Sequence, residues 1–254
     1  MPSVSIKDKV VLVSGSNRGI GKSFVMQALE MGAIKVYATA RDESTLAGFA
    51  ALNDARLVPL TLDVTNQEQV DAAAAAAADV EILINNSGVD AGGPIIGNLD
   101  ESSKRLEMDV NYFGIAKMCV AFAPILKANG GGAIVNILSV AALNNFAFAP
   151  GYSASKAAAR SLTQALRTEL GPQNTLVSGV FPGPIDTEMA KNVPIAKESP
   201  DAVAIHVFEG IAQGHEDIFP DPFSVEFAKQ MKSDAKAVEK ADAARFKSFW
   251  EHRG

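Results

Sequence analysis

Cysteine and histidine are scarce in this 254-residue chain. Cys119 is the single cysteine, which excludes an internal disulfide framework and favours a reducing compartment. It lies in an apolar stretch with a helical pattern, so we expect a packing role for it. The three histidines, His206, His215 and His252, are scattered and have no partner at the spacing of a metal-binding motif. The sequence therefore predicts no metal site.

Basic clusters and long apolar runs are also missing. The formal net charge is −6 and lysine and arginine form no block, so a nucleic-acid backbone or an anionic membrane surface is an unsuitable partner. Residues 1–9 lack the apolar core of a signal peptide, and nowhere do about 18 apolar residues follow one another. We predict a soluble, cytoplasmic protein with no nucleic-acid and no membrane partner.

Short β-branched runs alternate with helical patterns along the chain. With 48% hydrophobic residues, a chain of this length can form one large α/β domain over residues 1–254. The alternation predicts a doubly wound, Rossmann-type parallel sheet of about seven strands with helices on both faces. Strands are predicted at 10–13, 35–39, 57–61, 81–84, 133–137, 175–181 and, more weakly, 217–219. Helices are predicted at 20–31, 44–51, 67–78, 100–128, 151–170 and 201–212, and the charged segment within 220–254 is expected to be a solvated helix.

The segment YSASK places Tyr152 and Lys156 four residues apart in a predicted helix, with Ser139 upstream. Positions i and i+4 lie on one helix face, so the phenol and the ammonium are expected in one pocket. A nearby positive charge favours the phenolate and would lower the pKa of Tyr152, making it a proton donor and acceptor near neutral pH. One such pair by itself is also compatible with a helix that merely contains both residues.

A glycine-rich turn follows the first predicted strand. Gly15, Gly19 and Gly21 stand between an apolar run and a helical pattern, with the spacing G-x-x-x-G-x-G. Glycine permits the tight turn and lets the backbone approach a pyrophosphate, whose charge meets the unpaired amides at the start of the helix. This order of elements predicts a dinucleotide site.

Taken together, the motifs resemble those of the short-chain dehydrogenase/reductase family over roughly the first 190 residues. They are SGSNRGIG at 14–21, Asp63-Val64, NNSG at 85–88, Asn111, Ser139, YSASK at 152–156 and PGPIDTEM at 182–189. Two positions depart from the family pattern and keep small polar groups: Ser14 replaces the usual threonine and Ser87 the usual alanine.

The resemblance implies a catalytic set of Asn111, Ser139, Tyr152 and Lys156. Ser139 and Tyr152 would aim their hydroxyls at the substrate oxygen, where negative charge develops during reduction, and Tyr152 would supply the proton. Lys156 would hold the nicotinamide ribose, and Asn111 would keep a water in a proton path, although a mid-helix asparagine can instead cap or bend a helix. The implied cofactor-binding residues are Gly15, Asn17, Arg18, Gly19, Ile20, Gly21, Arg41, Asp63, Val64, Asn85, Gly88, Tyr152, Lys156, Pro182, Gly183, Ile185 and Thr187.

The residue after the second predicted strand indicates the phosphate state of the cofactor. An acidic residue there would repel a 2′-phosphate, whereas this chain has Arg41, with Arg18 in the glycine-rich turn as a second cation. NADP is therefore predicted over NAD. The alternative is that Arg41 is a solvated residue paired with Asp42 or Glu43.

The substrate is expected to be a small alcohol or carbonyl compound of apolar character. Its walls would come from loops 89–98, 144–150 and 188–200, the last within a substrate loop of about 184–200, and all three are largely apolar. Two other functions on the same scaffold stay open: a non-redox, lyase-type enzyme and a nucleotide-sensing binding protein. The apolar helix 100–128 and the small residues of helix 151–170 predict a homodimer or homotetramer.

Overall fold

The computed structural model describes residues 2–96 and 99–251 of the chain. Its centre is one sheet of seven parallel strands in the order β3-β2-β1-β4-β5-β6-β7. The last two residues of the predicted substrate loop 89–98, and His252, lie outside the described residues. The strands are β1 (Val10–Val13), β2 (Lys35–Ala40), β3 (Leu57–Thr61), β4 (Ile82–Asn85), β5 (Gly132–Ile137), β6 (Thr175–Val180) and β7 (Asp217–Ile218).

Helices connect the strands and cover both faces of the sheet. They are α1 (Gly19–Glu30), α2 (Ala47–Ala50), α3 (Gln67–Ala76), α4 (Glu101–Met108), α5 (Ile115–Ala128), α6 (Pro150–Leu170), α7 (Pro200–Ala212) and α8 (Pro222–Glu251). A π-helical segment, Asp109–Gly114, joins α4 to α5, and a 3₁₀ turn, Glu43–Leu46, precedes α2. The predicted Rossmann-type fold is confirmed, and most predicted element ends agree with the structure within two residues.

The strands are buried on both faces because helices pack on each side. One core cluster joins Val11 and Val13 of β1 to α1 and α7, where Phe24 and Phe208 meet edge to face at 5.5 Å. The other cluster joins Leu12 of β1 to α3, α5 and α6. Alternate residues of a strand point to opposite faces, so β1 contributes to both clusters, and near-continuous apolar strands are the consequence.

The helical stretch Glu101–Ala128, of those the structure describes, is long and apolar enough to cross a membrane by length and composition. In its most apolar 18-residue window, 44% is buried inside the protein. Phe122 and Met118 of α5 belong to the core beneath the sheet, so this stretch is a covering helix of the fold. Its outer face stays exposed at Leu106, Phe113 and Val120.

Helix α8 is bent near its middle. Asp234 has non-helical angles (φ −156°, ψ 87°), and its carboxylate accepts a hydrogen bond from Ala237 N at 2.9 Å, which restarts the helix. Beyond the bend the described residues up to Lys247 are mostly exposed, as expected for a solvated charged helix. Asp242 is the exception, because it is 9% exposed. Its carboxylate accepts a hydrogen bond from the backbone N–H of Ala147, in the predicted substrate loop 144–150.

Candidate active site

The predicted site residues meet at one edge of the sheet, where the parallel strands end. The glycine turn follows β1, Arg41 follows β2, Ser139 lies two residues beyond β5, and Pro182 lies two residues beyond β6. In open α/β sheets this edge is where ligands bind, because the loops that leave the carboxyl ends of the strands surround a crevice there. Residues far apart in the sequence are therefore brought together by topology.

The glycine turn has the backbone conformation that an anion site needs. Gly15 (φ +64°) and Gly19 (φ +54°) lie in the left-handed region. A Cβ on Gly21 would overlap the carbonyl oxygen of Gly15 and the side-chain amide of Asn86, so only glycine allows this close approach. Helix α1 begins at Gly19 with Arg18 extended and no side-chain cap, which leaves backbone N–H groups free for a phosphate. These residues fit the pyrophosphate of a dinucleotide.

Ser14 and Asn86 hold the glycine turn to the end of β4. The Ser14 hydroxyl oxygen accepts hydrogen bonds from the backbone N–H groups of Asn86 and Ser87, both at 3.0 Å. The Asn86 side chain donates to the carbonyl oxygens of Ser14 (3.0 Å) and Gly15 (2.8 Å). No role for Asn86 was predicted from the sequence, although the doubled asparagine in NNSG was the signal available.

Asn85, predicted to bind the cofactor, turns its side chain away from the crevice. It is 2% exposed and donates to Asn136 Oδ1 at 2.8 Å and to Cys119 Sγ at 3.4 Å. Being the last residue of β4, it points to the same face as Leu83, toward α5, because strand residues alternate. A cofactor contact from Asn85 is therefore left to its backbone. Burial also raises the pKa of the Cys119 thiol to about 12, in keeping with a packing role.

The residues predicted at the adenosine end line the rim after β2 and β3. Arg41 is exposed, and the neighbouring Asp42 uses its carboxylate to accept from Ser44 N (2.9 Å) and Ser44 Oγ (2.6 Å), which caps the following turn. Asp63 is partly buried, and one of its oxygens accepts from both the backbone and the hydroxyl of Thr65. Val64 is buried against Gly114 of the π-helical segment, where a Cβ would lie 2.7 Å from the valine methyl.

Tyr152, Lys156 and Ser139 come together as predicted. Tyr152 and Lys156 lie in the first two turns of α6, and the Lys156 Nζ is 5.7 Å from the centre of the Tyr152 ring. Lys156 is 3% exposed and donates to the Ile137 carbonyl oxygen at 2.7 Å. Ser139 caps the turn Val140–Ala142 by accepting from Ala141 N at 3.1 Å, and its hydroxyl is hydrogen-bonded with that of Tyr152.

Asn111 lies in the π-helical segment, fully buried. Its Nδ2 donates to the Val89 carbonyl oxygen (2.8 Å) and to Ser155 Oγ (2.9 Å), and its Oδ1 accepts from Val89 N (2.9 Å). The side chain thus fastens the loop after β4 to α6, three residues beyond Tyr152. With its side-chain bonds used in this way, a link from Asn111 to a water would come from its backbone.

The electrostatics of the tyrosine differ from the sequence-based expectation. Burial raises the pKa of Tyr152 to about 12, with Asp90 and Glu107 adding to the rise and the hydrogen bond with Ser139 opposing it. Burial lowers the pKa of Lys156 to about 8. The expected lowering of the pKa of Tyr152 by Lys156 is therefore wrong, because loss of hydration penalises both charged forms.

Asp221 holds the segment Pro182–Thr187 through a hydrogen bond to its backbone. This role of Asp221 was not predicted from the sequence. The Asp221 carboxylate accepts from Gly183 N at 2.9 Å and from Ser224 N at 2.8 Å, so it caps α8 and ties it to this loop. The sequence signal was an Asp-Pro pair with serine three positions after the aspartate, a pattern typical of a helix start. Ile185 is 3% exposed, and its backbone forms an isolated parallel β-bridge with Glu198. Thr187 faces Gly19 across the crevice.

Apolar side chains surround the predicted substrate side. Ile96, Phe148 and Met189 are exposed, one from each predicted wall. Phe146 stacks on Phe148 with ring centres 5.6 Å apart and meets Phe227 of α8 at 5.8 Å, so α8 adds to the wall. A cavity of about 660 Å³ lies elsewhere, between α7, β7 and α8, and includes none of the predicted catalytic residues.

Comparison with known proteins identifies the family. A family model described as short chain dehydrogenase matches residues 9–198. The chain is 34% identical over 201 residues to a probable galactose dehydrogenase of Rhizobium meliloti, covering 76% of this chain and 78% of that protein. It is 36% identical over 190 residues to a 3-alpha-(or 20-beta)-hydroxysteroid dehydrogenase of Mycobacterium bovis, covering 73% and 72%.

Solved structures resemble the whole fold. A short chain dehydrogenase from Burkholderia cenocepacia in complex with NADP superposes with a TM-score of 0.88 at 39% identity, covering 93% of this chain and 98% of the other. A short chain dehydrogenase/reductase from Burkholderia phymatum in complex with NAD gives a TM-score of 0.81 at 26% identity, covering 92% and 96%. Both nicotinamide cofactors therefore occur among the structural relatives.

Proposed function

The chain belongs to the short-chain dehydrogenase/reductase family, an oxidoreductase family with a nicotinamide cofactor, and we propose that it is an NADP(H)-dependent enzyme that interconverts an alcohol and a ketone or aldehyde. The observation that carries this proposal is the convergence of Ser139, Tyr152 and Lys156 at the edge of the sheet that also bears the glycine turn. A proton donor beside a dinucleotide site is what carbonyl reduction requires.

The side chains of the site support general acid catalysis by Tyr152. When bound, the cofactor supplies or accepts the hydride. With a pKa raised by burial to about 12, Tyr152 is a phenol at neutral pH and can donate its proton to a substrate oxygen. Ser139, hydrogen-bonded to Tyr152, would place a second hydroxyl on the same oxygen and stabilise the developing charge. Lys156, with a pKa of about 8, can hold a proton at Nζ or release it within the working pH range.

Two arginines support NADP over NAD. Arg41 is exposed directly after β2, and the carboxylate of Asp42, one of its two alternative partners, is occupied by Ser44. A guanidinium suits a 2′-phosphate because it can donate two parallel hydrogen bonds. Arg18, at the start of α1, is exposed as well. The NADP complex of the Burkholderia cenocepacia relative agrees with this choice, while the NAD complex of the Burkholderia phymatum relative keeps it open to test.

We propose an apolar carbonyl compound as the substrate. One relative is named as a dehydrogenase of a sugar and another as a dehydrogenase of a hydroxysteroid, so similarity alone does not indicate the class of substrate. Exposed Ile96, Phe148 and Met189 favour the apolar class, because an apolar wall offers few partners to a sugar hydroxyl. The single, buried cysteine supports a cytoplasmic location.

The test combines a substrate panel with one substitution. Steroid-type ketones, simple alicyclic ketones and aldehydes are assayed with NADPH and NADH, and galactose is assayed with NADP⁺ and NAD⁺. Both directions are followed by the absorbance of the reduced nicotinamide. We expect NADPH-dependent reduction of apolar ketones, and we expect Tyr152→Phe to lose about 10²–10⁴-fold in kcat while still binding NADPH. Tyr112→Phe is the matched control.

Three outcomes contradict the proposal in different ways. A Tyr152→Phe enzyme that keeps more than about half of the wild-type kcat refutes the role of Tyr152. NADPH binding without turnover of any carbonyl or alcohol points to a nucleotide-sensing protein. Turnover without nicotinamide points to the lyase-type alternative.

A further inference from the structure

One face of the helix that leads to Asn111 carries three inward polar residues. Lys104, Glu107 and Asn111 stand at i, i+3 and i+7 and so lie on one side of the helix. Asn111 belongs to the predicted catalytic set, and Glu107 does not. The Glu107 side chain is 0% exposed, whereas that of Glu101 on the same helix is 66% exposed. A fully buried carboxylate is costly unless something holds it, so its contacts indicate its role.

Glu107 and Lys104 hold the turn that opens the predicted substrate loop. Glu107 Oε1 accepts from the backbone N–H of Ala91 at 2.9 Å. Lys104 Nζ lies 3.6 Å from Glu107 Oε2 and donates to the Gly92 carbonyl oxygen. Because Asn111 holds both backbone groups of Val89, this one helix face fastens the chain from Val89 to Gly92.

The other side of Glu107 faces the helix that carries Tyr152. A Cβ on Gly151 would overlap Oε2 of Glu107 and Cδ of Lys104, so the carboxylate rests directly on the residue that precedes Tyr152. Within the described part of the chain, Oε2 has no hydrogen-bond partner. Among the described residues Oε2 is paired with Lys104, and the carboxylate borders the first turn of α6.

Building on the proposed oxidoreductase function, we propose that Glu107 is a positioning residue of the active site: its carboxylate holds the 90–92 turn and keeps a negative charge behind Tyr152. Burial is the main cause of the raised pKa of Tyr152, and the charge of Glu107 adds to it by disfavouring a phenolate, which favours Tyr152 as the proton donor for carbonyl reduction. The other charged groups around Tyr152 are Asp90 from the turn, Lys104 from α4 and Lys156 from α6.

The first experiment removes the charge and keeps the shape. Glu107→Gln retains an oxygen that can accept from Ala91 N, and Glu101→Gln is the control with the same charge change on the exposed face. The pH dependence of kcat is measured for carbonyl reduction and for alcohol oxidation. We expect the part of the pH profile of kcat that reports the titration of Tyr152 to move to lower pH in Glu107→Gln only. Near neutral pH, the ratio of kcat for oxidation to kcat for reduction should rise in this variant. If kcat falls in Glu107→Gln while the pH profile of kcat keeps its position, Glu107 has only a structural role and the proposal is wrong.

A second readout needs no catalysis. The chain has three tyrosines, so the phenolate absorbance of cofactor-free protein between about pH 9 and 11, after subtraction of the Tyr152→Phe spectrum, reports Tyr152 itself. Glu107→Gln should show more phenolate in this range than wild type and Glu101→Gln. If wild type turns over no substrate, the proposed function fails, and this titration still decides the inference. Superimposed curves for Glu107→Gln and wild type overturn it.

The contact with Gly151 allows a reciprocal test. Gly151→Ala should lower kcat/KM by about tenfold or more in the wild-type background, because the new methyl group displaces Glu107. In a Glu107→Ala background the same substitution should cost less than about threefold, since the overlap with Glu107 is gone and only the flexible Lys104 side chain has to move. Additive losses in the double variant would contradict a direct link between Glu107 and the start of α6.

Discussion

At the scale of single residues, Lys156 is held in an environment that opposes its charge. Its pKa falls from 10.5 to about 8 on burial, so the folded protein binds this proton more weakly than the unfolded chain does. Between these two values the unfolded state carries more protons, and stability rises with pH. Below about pH 8 the full cost of burying the charged lysine is present, and above the unfolded value it is gone.

Lys156→Met should therefore change the pH dependence of stability. From about pH 7 to pH 10 we expect the free energy of unfolding of wild type to gain about 2–3 kcal/mol relative to the variant, because only wild type sheds this proton. Urea unfolding of cofactor-free protein at one protein concentration measures the difference. The range ends near pH 10, where tyrosines begin to titrate. Parallel curves for the two proteins would show that Lys156 keeps an ordinary pKa.

The predicted preference for NADPH over NADH also depends on a single side chain, that of Arg41. Arg41→Asp should lower the preference for NADPH over NADH in kcat/KM by roughly 10- to 100-fold, the loss of about 1.5–3 kcal/mol of charge-assisted hydrogen bonding. Lys7→Asp, at the opposite end of β1, makes the same charge change far from the rim and should leave the preference unchanged. A wild-type enzyme that prefers NADH would contradict the assignment.

Residue types and spacing in the sequence predict the residues that we propose carry the chemistry, but not the residues that hold them in place. Tyr152, Lys156 and Ser139 were readable because their types and spacing are unusual. Asn85 and Asn86 stand side by side in the sequence, and only the pleat of β4 decides that Asn86 holds the glycine turn while Asn85 faces α5. The raised pKa of Tyr152 depends on burial, which a sequence pattern does not measure.

At the scale of elements, α8 is joined to the cofactor side of the crevice by Asp221. The strand and helix pattern predicted β1 to β7 well, because each strand is a short apolar run covered on both faces. The cap of α8 was not predicted, since its second partner, Gly183, lies 38 residues earlier in the chain. Likewise, the π-helical segment that places Asn111 reads as ordinary helix in the sequence.

Asp221→Ala should affect both stability and cofactor binding. Loss of the helix cap should cost about 1 kcal/mol of stability, and release of Gly183 should weaken NADPH binding by about tenfold, as for one lost hydrogen bond to a charged group. Asp100→Ala removes the cap of α4 and should lower stability alone. Denaturant titration and NADPH fluorescence measure the two effects. Equal NADPH affinity in Asp221→Ala and wild type would separate α8 from the crevice.

At the scale of the whole molecule, an apolar stripe is left uncovered. Leu106 of α4, Phe113 of the π-helical segment and Val120 of α5 stand seven residues apart and are 44%, 49% and 74% exposed. Their exposure contrasts with Met118 and Phe122 of α5, which are fully buried against the sheet. On α6, the small residues Ala154 and Ala157 are also exposed. A large apolar side on one helix and small residues on another suit a second copy of this chain across a two-fold axis.

We therefore expect wild type to be a dimer or a tetramer of the 26.6 kDa chain, and Val120→Glu to shift it toward the monomer. A glutamate at Val120, the most exposed residue of the stripe, would place an unpaired charge from each subunit in the interface, which opposes association across an interface of standard size, about 1,600 Å². Ile34→Glu, 54% exposed in the wild type and away from the stripe, is the control that adds the same charge. Light scattering across a dilution series measures the mass of all three proteins. A wild-type mass of one chain at micromolar concentration, or a Val120→Glu variant as associated as Ile34→Glu, would mean that the stripe is not the interface.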